Sequence, residues 1–243
     1  MIINLWSTPR TGSVWYSKYL SQKYPGSMLV TEMFNRYHMN MYHVRDPIGA
    51  IRNFHQPVEN GFYKEYYLDS NNFLSKQDIY GVRTRTIDQE EQYCFELLKK
   101  VNKDQILIMH NHIDPINNDI RTWLLANADK NYWIYRKNKK LQLASYAVAL
   151  STKKFAAFNK AAISYEPVQD CELAPLENLI RRIKVWDSFE KTDKVAFEDI
   201  DFFDAPGFPL DQNTDPWSRL SIKMQKYIET LVNSYENHTN QQS

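Results

Sequence analysis

A short apolar segment at the start of the chain leads directly into a loop of proline, glycine and hydroxyl residues. Ile2 to Trp6 is typical of a buried strand, and Ser7-Thr8-Pro9-Arg10-Thr11-Gly12-Ser13 follows it. After Ser13 the apolar spacing predicts a helix that ends near Pro25-Gly26. A strand, a tight loop and a helix in this order direct free backbone N–H groups to one point, where the helix dipole adds positive potential. The sequence therefore predicts a loop that holds a phosphate or sulfate group.

The side chains of this loop suit an oxyanion. Gly12 permits close approach or an unusual φ, and Arg10 can form forked bonds to an anion. The hydroxyls of Thr11 and Ser13 can donate, and Val14 completes the predicted site. A Walker A loop has the pattern GxxxxGK[ST], whose first Gly and Lys are both absent here, so nucleotide hydrolysis with loop-bound Mg²⁺ is disfavoured. The structural alternative is an ordinary corner with a surface Arg.

Strands alternate with helices along most of the chain, which predicts an α/β fold with a central, mostly parallel sheet flanked by helices. The predicted strands after the first are Ser27–Thr31, Gln105–Met109, Tyr132–Tyr135 and Lys194–Phe197. The predicted helices after the first are Thr86–Val101, Ile120–Ala128, Leu141–Leu150, Leu176–Glu190 and Trp217–Tyr235. Residues 34 to 80 are interpreted as short helices and loops. We expect one domain over residues 1–236 and a frayed tail over 237–243.

Composition excludes several classes of protein. The net charge is +1 and the one dense basic cluster, Arg136 to Lys140, is short, so we expect no nucleic acid as a partner. Two distant cysteines predict neither a zinc knuckle nor a disulfide scaffold. No apolar run reaches the length of a membrane span, and the N-terminus lacks a basic leader, so a cytoplasmic protein is expected.

A second motif follows the predicted strand Tyr132–Tyr135. Arg136 ends this strand and Ser145 comes nine residues later, on the next predicted helix. A strand-end guanidinium and a hydroxyl in the first turns of a helix suit a phosphate group, although a solvated basic loop would have the same composition. Val44-Arg45-Asp46-Pro47 begins in a similar way, but nine residues after its Arg the chain has Phe54, so it is interpreted as a structural ion pair.

These motifs resemble those of sulfotransferases. In that family a strand precedes a loop of the type T-x-P-[KR]-[ST]-G-[ST]-x-W, matched here by Ser7, Pro9, Arg10, Thr11, Gly12, Ser13 and Trp15. An Arg and a Ser eight or nine residues apart bind the 3′-phosphate of the donor, which would be the role of Arg136 and Ser145. A third landmark is Lys184-Val185-Trp186-Asp187, followed by Val195 to Ile200, to which we assign a structural role in capping the following turn.

The resemblance implies a P-loop-like three-layer sandwich and transfer from the donor 3′-phosphoadenosine 5′-phosphosulfate (PAPS), without a metal ion. The acceptor would be a small hydroxylated molecule such as a sugar or lipid, bound by the aromatic-rich regions 34 to 80 and 150 to 172. Motif spacing is most similar to the bacterial trehalose sulfotransferase branch. The Gly-rich basic C-terminal segment of cytosolic members is absent, and Arg219 or Lys223 could replace it. The alternatives are a P-loop-type nucleotide kinase or phosphotransferase, and a non-catalytic nucleotide-binding module.

Two residues are candidates for the base that removes the proton of the acceptor. Glu32 lies twenty residues after Gly12 and is followed two positions later by Phe34, as in the trehalose branch. His112 ends the strong strand, where cytosolic members have a Lys-x-His with His as base. His110 and His112 share one face of an extended chain, so a metal pair is conceivable; the sequence shows no third ligand, and no metal site is predicted.

Overall fold

The computed structural model describes residues 1–34, 62–80, 85–112, 116–152, 166–187, 192–200 and 215–239. The strands in these ranges are β1 (Ile2–Ser7), β2 (Met28–Thr31), β3 (Phe62–Leu68), β4 (Leu74–Tyr80), β5 (Leu107–His112), β6 (Lys130–Tyr135) and β7 (Asp193–Ala196). The helices are α1 (Ser13–Lys23), α2 (Ile87–Lys100), α3 (Asn118–Asn127), α4 (Lys139–Thr152), α5 (Ala174–Asp187) and α6 (Ile222–Thr239). A 3-10 turn, Phe197–Asp199, follows β7.

Five strands form the central sheet, in the order β2-β5-β1-β6-β7. β5 runs parallel to both β1 and β2, with His112 opposite Ser7 and His110 opposite Thr31. β1 is a continuous buried run, as expected for a parallel strand covered on both faces. The predicted α/β fold with a central, mostly parallel sheet flanked by helices is confirmed.

The chain groups into two compact units. Unit 1 comprises Met1–Ser7 and Ser13–Tyr132, and unit 2 comprises Thr8–Gly12 and Trp133–Ser243. Unit 2 has its own apolar core, contributed by α4, α5 and α6, with Leu143, Leu179 and Ile228 almost fully buried. The single domain expected over residues 1–236 stays a prediction.

Local sequence signals explain the best-defined helix of unit 1. Thr86 precedes α2 and its hydroxyl accepts from the N–H of Gln89, while the Gln89 side chain accepts from the N–H of Thr86. This reciprocal capping box satisfies two N–H groups that have no partner within the helix. Asp88 lies in the first turn and Lys100 in the last, which matches the helix dipole. The helix predicted over Thr86–Val101 is confirmed.

The interpretation of residues 34 to 80 as short helices and loops is wrong at its C-terminal end. β3 and β4 form an antiparallel hairpin there. Its turn is held by Asp69, whose carboxylate accepts from the N–H groups of Asn71 and Phe73. Asn72 adopts a φ of 58°, which Asn tolerates better than most residues. Residues 35–61, which include Val44 to Pro47, lie outside the described part of the chain.

The C-terminal helix starts later and ends later than predicted. The segment before α6 forms a turn in which the N–H of Trp217 donates to the Asp215 carboxylate. Ser221 then caps the helix by accepting from the N–H of Met224. The helix continues to Thr239, so the first residues of the expected frayed tail are helical. Of the described helices, none is both long enough and apolar enough to cross a membrane.

Candidate functional site

The predicted anion loop belongs to unit 2, where α4 holds it in place. Nε2 of Gln142 donates to the hydroxyl of Thr8 at 3.0 Å and to the carbonyl oxygen of Pro9 at 2.9 Å. The hydroxyl of Thr11 donates to the Thr8 carbonyl oxygen at 3.1 Å. In this geometry the hydrogen of Thr11 closes the loop, and its donation to a ligand stays a prediction. Gln142 was missed in the sequence, since a helical Gln gives no signal of its own.

Position 12 requires a glycine because the ring of Phe197 lies against its Cα. Its φ is +80°, a conformation that strains any residue with a Cβ. A Cβ added to Gly12 would overlap Cδ2 and Cε2 of Phe197 and lie 3.0 Å from Cζ. The sequence predicted a glycine needed for close approach, and the group that approaches is this side chain.

Arg10 is partly buried in the loop and is oriented by α4. Its Nε donates to the hydroxyl of Ser145 at 2.8 Å. Burial is the main reason that the pKa of Arg10 lies below its ordinary value, and the nearby charge of Arg136 lowers it further. The structure thus brings together Arg10, Arg136 and Ser145, which the sequence had placed in two separate motifs.

Arg136 follows β6 and is also partly buried. Burial lowers the pKa of its guanidinium, and the carboxylate of Glu198 offsets part of this effect. The guanidinium lies over the ring of Phe197, with 4.4 Å between Cζ and the ring centroid. Within the described residues, its buried Nε has no hydrogen-bond partner. A buried charged donor without an acceptor is costly, so this atom points to a ligand that accepts.

Glu198 stabilises the loop between β6 and α4. Its carboxylate accepts from the N–H of Lys137 at 2.9 Å and from the N–H of Asn138 at 3.3 Å. Asp199 forms an ion pair with the ammonium of Lys137 at 2.5 Å. This acidic pair thus caps the loop after β6, and the turn after Ile200, which it was predicted to cap, lies outside the described residues.

Three other residues predicted for the donor site are placed as follows. Ser13 is buried and begins α1, and the side chain of Val14 is exposed. Arg219 donates its Nε hydrogen to the carbonyl oxygen of Glu166 at 2.9 Å, which assigns it a structural contact.

Unit 1 contains a polar cluster of Ser7, Glu32, His110 and His112, which we call the His–Glu cluster. The hydroxyl of Ser7 lies 2.8 Å from Nε2 of His110 and 3.3 Å from Nδ1 of His112. Nε2 of His112 lies 3.2 Å from Oε1 of Glu32. The two residues that the sequence offered as alternative bases are therefore in direct contact.

The register of three parallel strands creates this cluster. Ser7 is opposite His112, and Thr31, the residue before Glu32, is opposite His110. Parallel strands end at one edge of a sheet, and open α/β sheets bind ligands there. The sequence named Ser7 and His110 in other contexts but did not join them with Glu32 and His112 in one cluster, because strand register cannot be read from one chain.

Glu32 is held in a strained backbone conformation. Its φ is 54°, in the left-handed region, where a residue with a Cβ costs about 1–2 kcal/mol. Its N–H donates to the carbonyl oxygen of His110 at 2.7 Å, which fixes the turn after β2. Such outliers concentrate at functional sites, where the fold holds a side chain in a required place.

The contacts of His112 indicate where a proton is held. Its Nδ1 lies 3.4 Å from the carbonyl oxygen of Ser7, which can only accept, so the ring hydrogen is favoured on Nδ1. In the neutral ring Nε2 then carries a lone pair that faces the carboxylate of Glu32. Two acceptors at 3.2 Å repel each other unless a proton lies between them. The lone pair of Nε2 and the carboxylate of Glu32 thus face one another.

No protein-family model matches this chain, and no curated protein matches it. What the chain does is therefore inferred from its own residues.

Proposed function

We propose that this chain is a sulfotransferase that moves a sulfuryl group from PAPS to the hydroxyl group of a small acceptor. The observation that carries the proposal is the pair of partly buried guanidinium groups in unit 2, one of which has a buried Nε without a hydrogen-bond partner among the described residues. Burial lowers the pKa of both guanidinium groups, and the charge of Arg136 lowers the pKa of Arg10 further. A bound anion reverses both effects, since it compensates the desolvated charges.

The residues of this site fit the phosphate groups of PAPS. The unpartnered Nε of Arg136 offers a donor to an oxyanion, and Arg10 adds a second positive charge beside it. In the sequence the loop continues into α1, which begins at Ser13, and the first N–H groups of a helix are donors of the kind that phosphates use. The resemblance to sulfotransferases assigns Arg136 and Ser145 to the 3′-phosphate of the donor.

The Glu32–His112 pair is the proposed base. PAPS supplies the sulfuryl group, and as the new S–O bond forms and the bond from sulfur to the phosphate oxygen breaks, the acceptor hydroxyl loses its proton. The pair lacks one proton when Glu32 is ionised and His112 is neutral, so it can accept that proton. Arg10 and Arg136 would stabilise the charge that develops on the departing phosphate.

Calorimetric titration with the desulfated donor, 3′-phosphoadenosine 5′-phosphate, tests the donor site. The wild-type protein should bind it without added metal. Arg10→Ala and Arg136→Ala should each weaken binding by about tenfold or more, because a charge-assisted hydrogen bond contributes about 1.5–3 kcal/mol. Arg136→Lys, which keeps the charge but loses the fork, should lie between wild type and Arg136→Ala.

Arg181→Ala is the matched control, because Arg181 is exposed on α5 and its contact is with Asn178 of the same helix. This variant should bind the nucleotide as wild type does. Absence of binding, or binding of ATP only in the presence of Mg²⁺, would contradict the proposal and favour the phosphotransferase alternative.

Turnover is tested separately from donor binding. Release of 3′-phosphoadenosine 5′-phosphate from PAPS is measured with a panel of sugars, lipids and phenols as acceptors. Glu32→Gln and His112→Asn should abolish acceptor-dependent release. A wild-type protein that binds the nucleotide but turns over no acceptor would identify a binding module.

A further inference from the structure

The His–Glu cluster contains two imidazoles and one carboxylate, the ligand set of many sites for divalent transition metals. One ligand atom from each of Glu32, His110 and His112 lies within 4.8 Å of the other two. Within the described residues, no other group of three or more His, Cys, Asp or Glu side chains has this arrangement. We propose that these three residues form a binding site for one divalent transition-metal ion of the Zn²⁺ type.

The distances suit such an ion. In a tetrahedral zinc site with bonds of about 2.0–2.1 Å, neighbouring ligand atoms are about 3.3 Å apart. Nε2 of His112 and Oε1 of Glu32 are already 3.2 Å apart. The rings of His110 and His112 lie edge to face, with centroids 5.0 Å apart, and the third ligand atom, on His110, lies within 4.8 Å of the other two.

The second ring nitrogen of His112 has the surroundings typical of a metal ligand. Metal-binding histidines almost always donate their other N–H to a carbonyl, a carboxylate or water, which fixes the ring orientation. Nδ1 of His112 lies 3.4 Å from the carbonyl oxygen and 3.3 Å from the hydroxyl of Ser7. This contact leaves Nε2 directed toward Glu32, where the metal would lie.

Burial and backbone geometry preorganise the remaining ligands. His110 is fully buried on β5, between β1 and β2. Glu32 is fixed by its left-handed backbone and by the hydrogen bond from its N–H to the carbonyl oxygen of His110. The side chains of Glu32 and His112 retain 16% and 22% exposure, which leaves access for an ion and for water as a fourth ligand.

Metal binding and proton uptake would use the same atoms. A Zn²⁺ ion between Nε2 and Oε1 occupies the lone pairs that would otherwise accept a proton. Under the proposed function, the ion-loaded protein would lack its base, so Zn²⁺ would inhibit sulfuryl transfer. Metal binding itself does not depend on the proposed function, because it needs neither donor nor acceptor.

Equilibrium dialysis of the full chain with ZnCl₂, without nucleotide, tests the site. We expect one equivalent of bound Zn²⁺, and we expect Co²⁺ at the same stoichiometry to give the visible absorption bands of a four-coordinate ion. Glu32→Gln and His112→Asn should each weaken Zn²⁺ binding by at least tenfold and remove the Co²⁺ bands. Glu96→Gln, which changes a carboxylate on α2 that is 44% exposed and paired with Lys99, should leave both unchanged.

Circular dichroism shows whether the variants are folded, and His110→Gln provides a third ligand change if one of the others is not. Absence of a bound equivalent in the wild type would overturn the inference. Zn²⁺ affinity that stays within twofold of wild type in folded Glu32→Gln and His112→Asn would also overturn it, by assigning the ion to other residues. Arg136→Ala, which should lose nucleotide binding, is expected to bind Zn²⁺ normally, so failure of the donor site and failure of the metal site are separable.

Discussion

Substitution of Gly12 by alanine should destabilise the protein for two separate reasons. The first is the φ of +80°, which costs a residue with a Cβ about 1–2 kcal/mol. The second is the overlap of the new methyl group with the ring of Phe197, and overpacking of this kind costs about 1–3 kcal/mol. We therefore expect Gly12→Ala to lower the free energy of unfolding by about 2–5 kcal/mol, measured by urea denaturation.

Gly26→Ala separates the two contributions. Gly26 also has a φ of +80°, but a Cβ there would meet no atom within 4 Å. Gly26→Ala should therefore lower the free energy of unfolding only through backbone strain. The difference in free energy of unfolding between the two variants then measures the overlap with Phe197. When Gly12→Ala is made in a Phe197→Ala background, its cost relative to Phe197→Ala alone should fall to about the cost of Gly26→Ala. Equal destabilisation by Gly12→Ala and Gly26→Ala would refute the reasoning, because it would place Phe197 away from Gly12.

Three further predictions concern buried polar groups, and each is measured by urea denaturation. Ser145→Ala removes the acceptor of the Arg10 Nε hydrogen and should cost about 1–3 kcal/mol, whereas equal stability would contradict the contact. Asp187→Asn leaves the buried ammonium of Lys139, 2.9 Å from the carboxylate, without its counter-ion, and should cost about 3 kcal/mol. Burial, with smaller contributions from neighbouring tyrosines, raises the pKa of Tyr16 to about 12. The native state then keeps a proton that the unfolded state loses above about pH 10, so stability should fall from there to about pH 12, by at most about 1.4 kcal/mol per pH unit. In Tyr16→Phe the free energy of unfolding should fall less steeply over the same pH range. A pH profile equal to that of wild type would show that other groups cause the fall.

Elements with strong local signals were predictable from the sequence. β1 is an apolar run ended by Pro and Gly, and α2 has its acidic residues early and its basic residues late. The β3–β4 hairpin was missed because its strands mix Tyr with charged residues and alternate poorly. The cluster Asp69 to Asn72 was the signal that could have located the turn. This turn is stabilised by side-chain hydrogen bonds to the backbone, and a search for hydrophobic periodicity does not detect such bonds.

The candidate site was predictable in its residues but not in its contacts. Glu32 and His112 were competing candidates because a spacing from Gly12 says nothing about distance in space. Strand register decides their contact, and it depends on the pairing of β2 and β1 with β5. The contact between Arg10 and Ser145 likewise depends on how α4 packs in unit 2. Contacts between residues that are distant in sequence depend on how the whole core packs, so no local sequence pattern predicts them.

Positive backbone φ angles occur at two of the candidate site residues. Within the described residues, Arg10, Glu32 and Asn72 are the non-glycine residues with positive φ. Asn72 needs no further reason, because Asn is favoured at such positions in turns. Arg and Glu have no such preference, so their strain of about 1–2 kcal/mol each is retained for the placement of their side chains. One of these side chains lies in the cationic pair of unit 2 and the other in the His–Glu cluster of unit 1. Selection for stability alone would replace both with Gly or Asn, and this is an independent physical reason to assign chemistry to these two positions.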